Sequence, residues 1–480
     1  MEKYDIIVIG AGSAGLGCSG VANTLGLKTL LIERNEEYFG GDCTNFGCVP
    51  SKALIHIAQQ FHDAKKATRF GLELGNQKAD MKKVLEYIHE KQTIIRNEED
   101  PETLRKKGID VVIGEATFAD KRTVQVNTKT YTAPVIFLCT GSAARKLDVS
   151  GQDLMIIYTN ENVFFDCTEL PENLVVIGGG PIGCELGQAF SRLGSKVYIV
   201  NRGERLLDKE PPHVSRILAE QFKKEGIEVL NNTTVEYFEK GVTLIKSKYD
   251  VSKSIPTDAV ISAIGRTVNI SNLQLEKAGI EVTDKSRIKV DEYLQSTNKN
   301  VYVIGDAAGS YMFSHGAEKM VRQVWRNLLI PIFKKKNTTE DLSWVTFTEP
   351  QVAHFGLSEK QLRERNIDFH RQELDLVHED RAIIQEYRYG NETLWLDNNS
   401  RFGKKKLLSG SLIAPQAGEL IQELELAKHA RLSIDKITSR VYPYPIATRL
   451  NQKNLRGVIQ ETYTNWKLKL ARTAFKLFNK

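Results

Sequence analysis

An α/β fold with two repeated strand–turn–helix–strand units and a smaller C-terminal α+β domain is what this 480-residue sequence predicts. Three observations predict it. The stretch 5–33 (DIIVIG, GAGSAG, a helical stretch, KTLLIER) recurs at 174–202 as LVVIG, GGGPIG, a helical stretch and KVYIVNR. Each unit opens on a short apolar run rich in Ile and Val, the pattern of a parallel strand buried on both faces. From about residue 340 the pattern changes to alternating stretches such as WVTFTEPQVAHFG and KLLSGSLIAP, which predict an antiparallel sheet with helices on it.

The length fits two to four domains. With 41% hydrophobic and 26% charged residues, the chain is globular, and disorder, collagen and a disulfide-stapled mini-domain are excluded. No apolar run approaches the ~18 residues of a membrane span. The N-terminal MEKYDIIVIG has no basic segment, apolar core or cleavage site, so no signal peptide is expected. The six cysteines (Cys18, Cys43, Cys48, Cys139, Cys167 and Cys184) are spaced unlike a structural disulfide framework, which points to a reducing, cytoplasmic compartment. The net charge is +6, and the tail 462–480 carries Lys467, Lys469, Arg472, Lys476 and Lys480 without an acid. The near-neutral body gives no sign of nucleic-acid binding.

In chain order, residues 53–107 read as charged helices, and YTAPVIFLCTG (131–141), DAVISAIG (258–265) and NVYVIGD (300–306) as further buried strands. The expected organisation is a first nucleotide domain over 1–150 and a second over 151–285. A return segment to the first follows over 286–339, then the C-terminal domain over 340–461 and the basic tail over 462–480.

Both G-x-G-x-x-G turns follow a strand and open a helix, the context that makes them Rossmann-like dinucleotide sites. In the first, Gly10 permits the tight turn, Gly12 lets the backbone approach a pyrophosphate and Gly15 lets helix and strand pack closely. The helix N-terminus then faces the phosphates. Glu33, about 20 residues on, can bind both ribose hydroxyls and repels a 2′-phosphate, as suits FAD or NAD. In the second turn (Gly178, Gly180, Gly183), Asn201 stands at the acid position, followed by Arg202 and Arg205. That combination favours NADPH over NADH. The alternative is a solvated pair of arginines and loose cofactor choice.

Residues 40–52 read GGDCTNFGCVPSK. Cys43 and Cys48, five apart before an apolar helix, can come within disulfide distance across one turn. Two unrelated buried thiols are the alternative. No metal site is expected, since a zinc site needs four ligands and no second cysteine pair exists.

This segment resembles the redox-active segment of the class I pyridine nucleotide–disulfide oxidoreductases, the family of glutathione reductase, dihydrolipoamide dehydrogenase and mercuric reductase. The resemblance covers nearly the whole chain. LCTGS (138–142) is similar to the family's second FAD motif, VYVIGDAAG (301–309) to its third and AIGR (263–266) to the end of its nicotinamide domain. MFSH (312–315) is similar to the stretch near the flavin in dihydrolipoamide dehydrogenases, and FTEPQVAHFGLSE (347–359) to the start of the dimerisation domain.

The resemblance implies an FAD- and NAD(P)H-dependent homodimer with its active site between subunits. FAD would be held by Gly10, Gly12, Ser13, Ala14, Gly15, Glu33, Arg34, Gly41, Asp42, Cys43, Cys48 and Lys52. Ala116, Thr140, Gly141, Ser142, Asp306, Met312, Phe313, Ser314 and His315 would complete that site. The nicotinamide cofactor would meet Gly178, Gly180, Pro181, Ile182, Gly183, Glu185, Asn201, Arg202, Arg205 and Gly265. By the same resemblance a Cys43–Cys48 disulfide is the redox centre. Cys48 is its charge-transfer thiolate, Cys43 its interchange thiol, and Lys52 pairs with Glu185. For that pair, two surface charges are the alternative. Pro181 replaces a tyrosine that gates the nicotinamide pocket of glutathione reductases, which argues against that subgroup.

One segment departs from the family. Disulfide-reducing members end in His-Pro-Thr-x-x-Glu, whose histidine and glutamate shuttle protons. Here Tyr444 stands at the histidine position, Ile446 at the threonine and Arg449 at the glutamate. A phenol, with a pKa of about 10, is a poor base at neutral pH, and a guanidinium cannot accept a hydrogen bond. Tyr444, the turn NRGERLLDKEPP (201–212) and Asp380-Arg381-Ala382 resemble mercuric reductases, but no cysteine pair follows at the C-terminus. The small-molecule acceptor is then one needing no His–Glu relay: a quinone, a metal ion (Hg or Cu) or an unidentified disulfide. Dihydrolipoamide dehydrogenase activity stays as an alternative, as does a slow flavin-containing redox sensor or membrane-recruited partner protein. In the tail, Trp466, Leu470, Ala474, Leu477 and Phe478 share a helical face. Two readings are open: a helix packed on the subunit's own dimerisation domain, or peripheral contact with anionic lipid.

Overall fold

The computed structural model describes residues 1–75, 78–399, 405–461 and 465–479. The chain forms two units, one of Met1–Arg202 with Gly226–Thr338 and the other of Gly203–Glu225 with Thr339–Lys480.

The first unit carries two five-stranded parallel sheets. One has the order Val301–Val303, Val135–Leu138, Ile6–Ile9, Thr29–Glu33, Asp110–Ile113. Its central strand, IIVI, is buried at every position, as expected of a strand covered on both faces. Helix α1 (Ser13–Thr24) follows the first glycine turn. A one-turn helix, Gly41–Asn45, precedes α2 (Cys48–Ala67), whose last turn ends on Lys65 and Lys66, cations suited to the negative end of a helix dipole. The second sheet has the order Ile156–Tyr158, Ala259–Ser262, Asn173–Ile177, Lys196–Asn201, Glu228–Asn231, again parallel. Helix α3 (Pro181–Leu193) follows its glycine turn with proline at the first helical position, where the missing N–H costs nothing. Helix α4 (Ser314–Leu329) packs Val321, Val324 and Trp325 into the core of the first sheet.

Within this unit the two sheets are tied by a ribbon, Ser142–Ala144 paired with Arg266–Val268. Leu273, Leu275, Ala278 and Ile280 already lie in the first sheet's core. The return to that core therefore begins before residue 286, because these apolar side chains are buried there.

The second unit is a five-stranded antiparallel sheet, ordered Ser343–Thr346, Gln351–Gly356, Leu407–Ala414, Asn391–Asp397, Phe369–Asp375. Leu394, Leu412, Leu424 and Leu455 share its core. Helix Pro212–Lys224 belongs here although its sequence follows the second βαβ unit. Trp344 Nε1 donates to Glu210 at 2.6 Å, and His213 Nε2 lies 3.0 Å from Asn391 Oδ1. The tail forms α5 (Asn465–Phe478), which is exposed along nearly all of its described length. The reading in which it packs on its own subunit is not what the structure shows. Residues 462–464 and Lys480 lie outside the described residues. Among the described residues, no helix is long and apolar enough to cross a membrane.

Candidate active site

The first glycine turn is compressed to the limit of backbone contact. Gly10 has φ +102°, and a Cβ there would meet the Cys139 carbonyl oxygen at 2.4 Å. A Cβ on Gly41 would meet Gly12 Cα at 2.5 Å, so the cysteine segment crosses the turn with no room for a side chain. Helix α1 begins directly after Gly12 with no acid in its first turn, and its leading N–H groups, Ser13, Ala14 and Gly15 among them, have no earlier carbonyl in the helix. Glu33 is buried at the end of its strand. Its carboxylate accepts from the N–H groups of Ala11 (2.7 Å) and Arg34 (2.8 Å). Burial raises its pKa, and those backbone donors pull it down.

Asp306 and Ser142 meet at the far end of the same sheet. Ser142 Oγ donates to Asp306 Oδ2 at 2.5 Å and accepts from Arg266 Nε at 2.7 Å. Arg266 Nη2 reaches Asp42 Oδ1 at 2.7 Å. Burial raises the pKa of Asp306, while Ser142 and Arg266 oppose that rise. Arg266 thus ties the residue before Cys43 to Asp306, a role sequence reasoning missed although it had singled out AIGR. Nothing local marks it, since its partners are 224 and 40 positions away. Thr140 Oγ1 is buried without a partner among the described residues, and Gly141 has φ +69°. Ala116 is a buried core residue on the short strand Ala116–Phe118.

Cys43 lies in the one-turn helix and Cys48 opens α2, with Gly47 as its N-cap. Both are free thiols in the structure, the reduced form of the redox pair that the resemblance implies; Cys43 is half-buried and Cys48 exposed. Hydrogen bonding from Cys43 is the largest cause pulling the Cys48 thiol down, to about 6, against burial and with help from Ser314 and the Lys52 charge. The same contact pushes the Cys43 thiol up. Ser314, first residue of α4, places its Oγ 3.6 Å from Cys48 Sγ. Met312 and Phe313 are half-buried beside it, and His315 is exposed and stacked on Phe313 at 5.2 Å. One turn into α2, Lys52 Nζ donates to Glu185 Oε2 of α3 at 2.8 Å.

The second glycine turn repeats the first: Gly178 has φ +118° and its Cβ would meet Ala263 O at 2.4 Å. Helix α3 starts after Gly180 with Pro181, Ile182 and Gly183. Asn201 lies against the turn, 2.7 Å from where a Cβ of Gly179 would stand, and donates to Asn231 Oδ1 at 2.8 Å. Gly265 has φ +110° just beyond the strand Ala259–Ser262. Arg202 is exposed. Arg205 instead donates from Nη2 to the carbonyls of Asp208 (2.7 Å) and Glu210 (3.4 Å), closing its own turn.

In the second unit, the Tyr444 hydroxyl donates to Asp380 Oδ2 at 3.1 Å, and the Arg449 guanidinium lies 5.0 Å from the Tyr444 ring centroid. The neighbouring Asp380 raises the phenol's pKa, so Tyr444 is held as a donor. Among the described residues, no group of three or more His, Cys, Asp or Glu side chains is placed to hold a metal ion.

These features fit an FAD in the first fold. The turn admits no side chain, the helix N-terminus is open to phosphate, Thr140 Oγ1 lacks a partner among the described residues, and Glu33 is a buried and Asp306 a half-buried carboxylate at or just beyond a strand end.

Residues 4–320 match the family model described as pyridine nucleotide-disulphide oxidoreductase, and residues 342–453 match that family's dimerisation domain. A mercuric reductase of Staphylococcus aureus is 30% identical over 444 residues, covering 92% of this chain and 80% of that protein. A dihydrolipoyl dehydrogenase of Mycoplasma genitalium is 31% identical over 450 residues, covering 92% of this chain and 95% of that protein. Among solved structures, the HOCl-induced flavoprotein disulfide reductase RclA from Escherichia coli superposes with TM-score 0.82 at 25% identity, covering 94% of this chain and 99% of that one.

Proposed function

We propose, from the premise that the chain belongs to the pyridine nucleotide-disulphide oxidoreductase family, that it passes two electrons from NADPH through FAD to Cys43 and Cys48 and on to a small acceptor. The chain is a flavoprotein disulfide oxidoreductase of the type of mercuric reductase, lipoamide dehydrogenase and RclA. The donor, the acceptor and the residue roles are our reading.

The observation that carries it is the Cys48 surroundings: a thiol at the N-terminus of α2, with the Ser314 hydroxyl 3.6 Å away and the Lys52–Glu185 pair one turn on. A helix N-terminus and a nearby ammonium both favour the thiolate. FAD, when bound, would supply the hydride acceptor for the nicotinamide and the relay of that electron pair to the cysteines. Glu33 would hold its ribose and Asp306 its ribityl chain, and the glycine turn would take its phosphates. On the nicotinamide side, Asn201 leaves out the carboxylate that repels a 2′-phosphate, and Arg202 is exposed to meet one. Over one reductive half-cycle, NADPH and one proton become NADP⁺, and the Cys43–Cys48 S–S bond becomes two thiols. In this reading the enzyme is a cytoplasmic homodimer.

The acceptor follows from Tyr444. A donor phenol bonded to Asp380 beside Arg449 cannot take a proton from a thiol as a histidine does. The proposed acceptors are therefore quinones, Hg(II), Cu(II) or a disulfide that needs no such relay. Anaerobic NADPH titration tests the core of the reading: a long-wavelength absorption band should form and vanish in Cys48→Ser. No band, and no acceptor in a panel of disulfides, quinones and metal ions raising NADPH oxidation above that by oxygen, would leave the redox-sensor reading instead.

A further inference from the structure

Helix α5 presents a chemistry that the redox reading does not use. Trp466, Leu470, Phe475, Leu477 and Phe478 are 62–85% exposed, large apolar side chains on a single short helix. At about 3.6 residues per turn, they and Leu468 sweep more than half of the helix circumference. Lys469, Arg472 and Lys476 occupy the remaining sector, and none of the fourteen residues is acidic. An apolar face this broad beside a purely cationic one is the composition of a helix lying in a membrane interface.

Lys467 decides between a protein partner and a lipid one. It falls in the middle of the apolar arc, with Nζ 5.9 Å from the Trp466 ring centroid. Closing that arc against an apolar protein surface would take a cation out of water, which desolvation opposes. At a bilayer surface its long stem lies along the apolar face while the ammonium reaches the phosphates. Tryptophan is likewise favoured at that depth, where one edge is apolar and the other wet.

We propose that α5 docks on an anionic phospholipid surface, with the apolar arc in the acyl boundary and Lys469, Arg472 and Lys476 on the headgroups. The proposal goes beyond the redox reading and does not depend on it, because binding is read without turnover.

Co-sedimentation of the flavin-loaded full chain with vesicles is the test. Vesicles of phosphatidylcholine alone and of phosphatidylcholine with phosphatidylglycerol are compared at low and high salt. The protein should pellet with the anionic vesicles, less at high salt, and little with the neutral ones. Each cation at a membrane surface is worth about 1 kcal/mol, so Lys469→Gln with Arg472→Gln and Lys476→Gln should weaken partitioning about 100-fold. Deletion after Glu461 should abolish it while the flavin spectrum and the oligomer mass stay unchanged. Equal partitioning to both vesicles, an unaffected triple variant, or no pelleting at all overturns the proposal. So does a fall in oligomer mass on deletion, which would make α5 a contact between copies of the chain.

Discussion

Lys52 Nζ donates to Glu185 Oε2 at 2.8 Å across 133 positions of sequence, and the two ends of the pair are unequally buried: the Lys52 side chain is 34% exposed and that of Glu185 7%. The ion pair joins the helix that opens on Cys48 to the helix of the second glycine turn. Losing the lysine takes the ammonium from a buried carboxylate, whereas losing the glutamate leaves an ammonium that water can reach. Lys52→Met should therefore cost more stability than Glu185→Gln, by about 1–2 kcal/mol after allowing for the exposed end. Urea unfolding of both flavin-loaded variants measures the difference, and equal losses would refute the asymmetry.

The Cys48 thiol is lowered to about 6, first by the hydrogen bond from Cys43 and then by Ser314 and Lys52. Its thiolate therefore persists above about pH 6 and is lost as pH falls below it. The long-wavelength band of the reduced enzyme should fade with a midpoint near that pH. Cys43→Ala should raise the midpoint more than Ser314→Ala, since the larger cause is removed. A midpoint unmoved by either variant would contradict the assigned contacts.

Nucleotide choice should separate the two arginines. Arg202 is exposed beyond the second turn, whereas Arg205 is committed to the carbonyls of Asp208 and Glu210. Arg202→Ala should lower kcat/KM for NADPH about 10-fold and leave NADH nearly unchanged, the loss expected for one charge-assisted contact. Arg205→Ala should lower thermal stability and leave the NADPH/NADH ratio almost intact. Asn201→Asp restores the repelling carboxylate and should move the ratio toward NADH. Steady-state kinetics with both nucleotides decide all three.

Tyr444 and Arg449 offer a gain-of-function test. Tyr444→His with Arg449→Glu restores a base and an acceptor to orient it. Disulfide turnover, assayed with lipoamide, should rise by about 10²-fold, the lower end of what a placed general base contributes. Tyr444→Phe should change it little, because the phenol is already held as a donor to Asp380. No gain in the double variant would show that the relay is not what limits disulfide reduction.

Glu392 provides a pH test away from the cysteines. It is fully buried, receives the Asn454 amide at 2.8 Å, and burial pushes its carboxyl up to about 8. Between its unfolded pKa of about 4.3 and about 8 the folded state holds a proton that the unfolded state has released. Stability contributed by this site must fall as pH rises through that window. Glu392→Gln removes the titration, so its unfolding free energy should be flatter from pH 5 to 8 than that of the parent. Parallel profiles would exclude the buried neutral acid.

Much of the fold was legible because its signals are local. IIVI and LVVI are apolar runs that only a doubly covered strand accommodates. The third glycine of each turn is demanded by a contact within a few residues, as the clashes of a Gly15 Cβ with Gly10 O at 1.8 Å and of a Gly183 Cβ with Gly178 O at 2.0 Å show. The cysteine spacing and Lys52, one helical turn beyond Cys48, were equally readable. Arg266 and Asp380 were not read as site residues, since each acts on a group that the sequence places far away. Arg205 was less legible, because a guanidinium in a turn can serve a phosphate or its own carbonyls, and sequence does not separate the two.

The sequence by itself determined the two nucleotide folds, the cysteine pair and the tyrosine and arginine of the segment 442–452, all properties of residue type and short spacing. Tertiary structure decided which charges meet. It placed Arg266 between Asp42 and Asp306, turned Arg205 onto its own loop, set the Ser314 hydroxyl beside Cys48 and left α5 exposed. The physical reason is range. Backbone sterics and apolar periodicity act within a turn or a strand, whereas hydrogen bonds and ion pairs depend on distances that exist only once the sheets have packed.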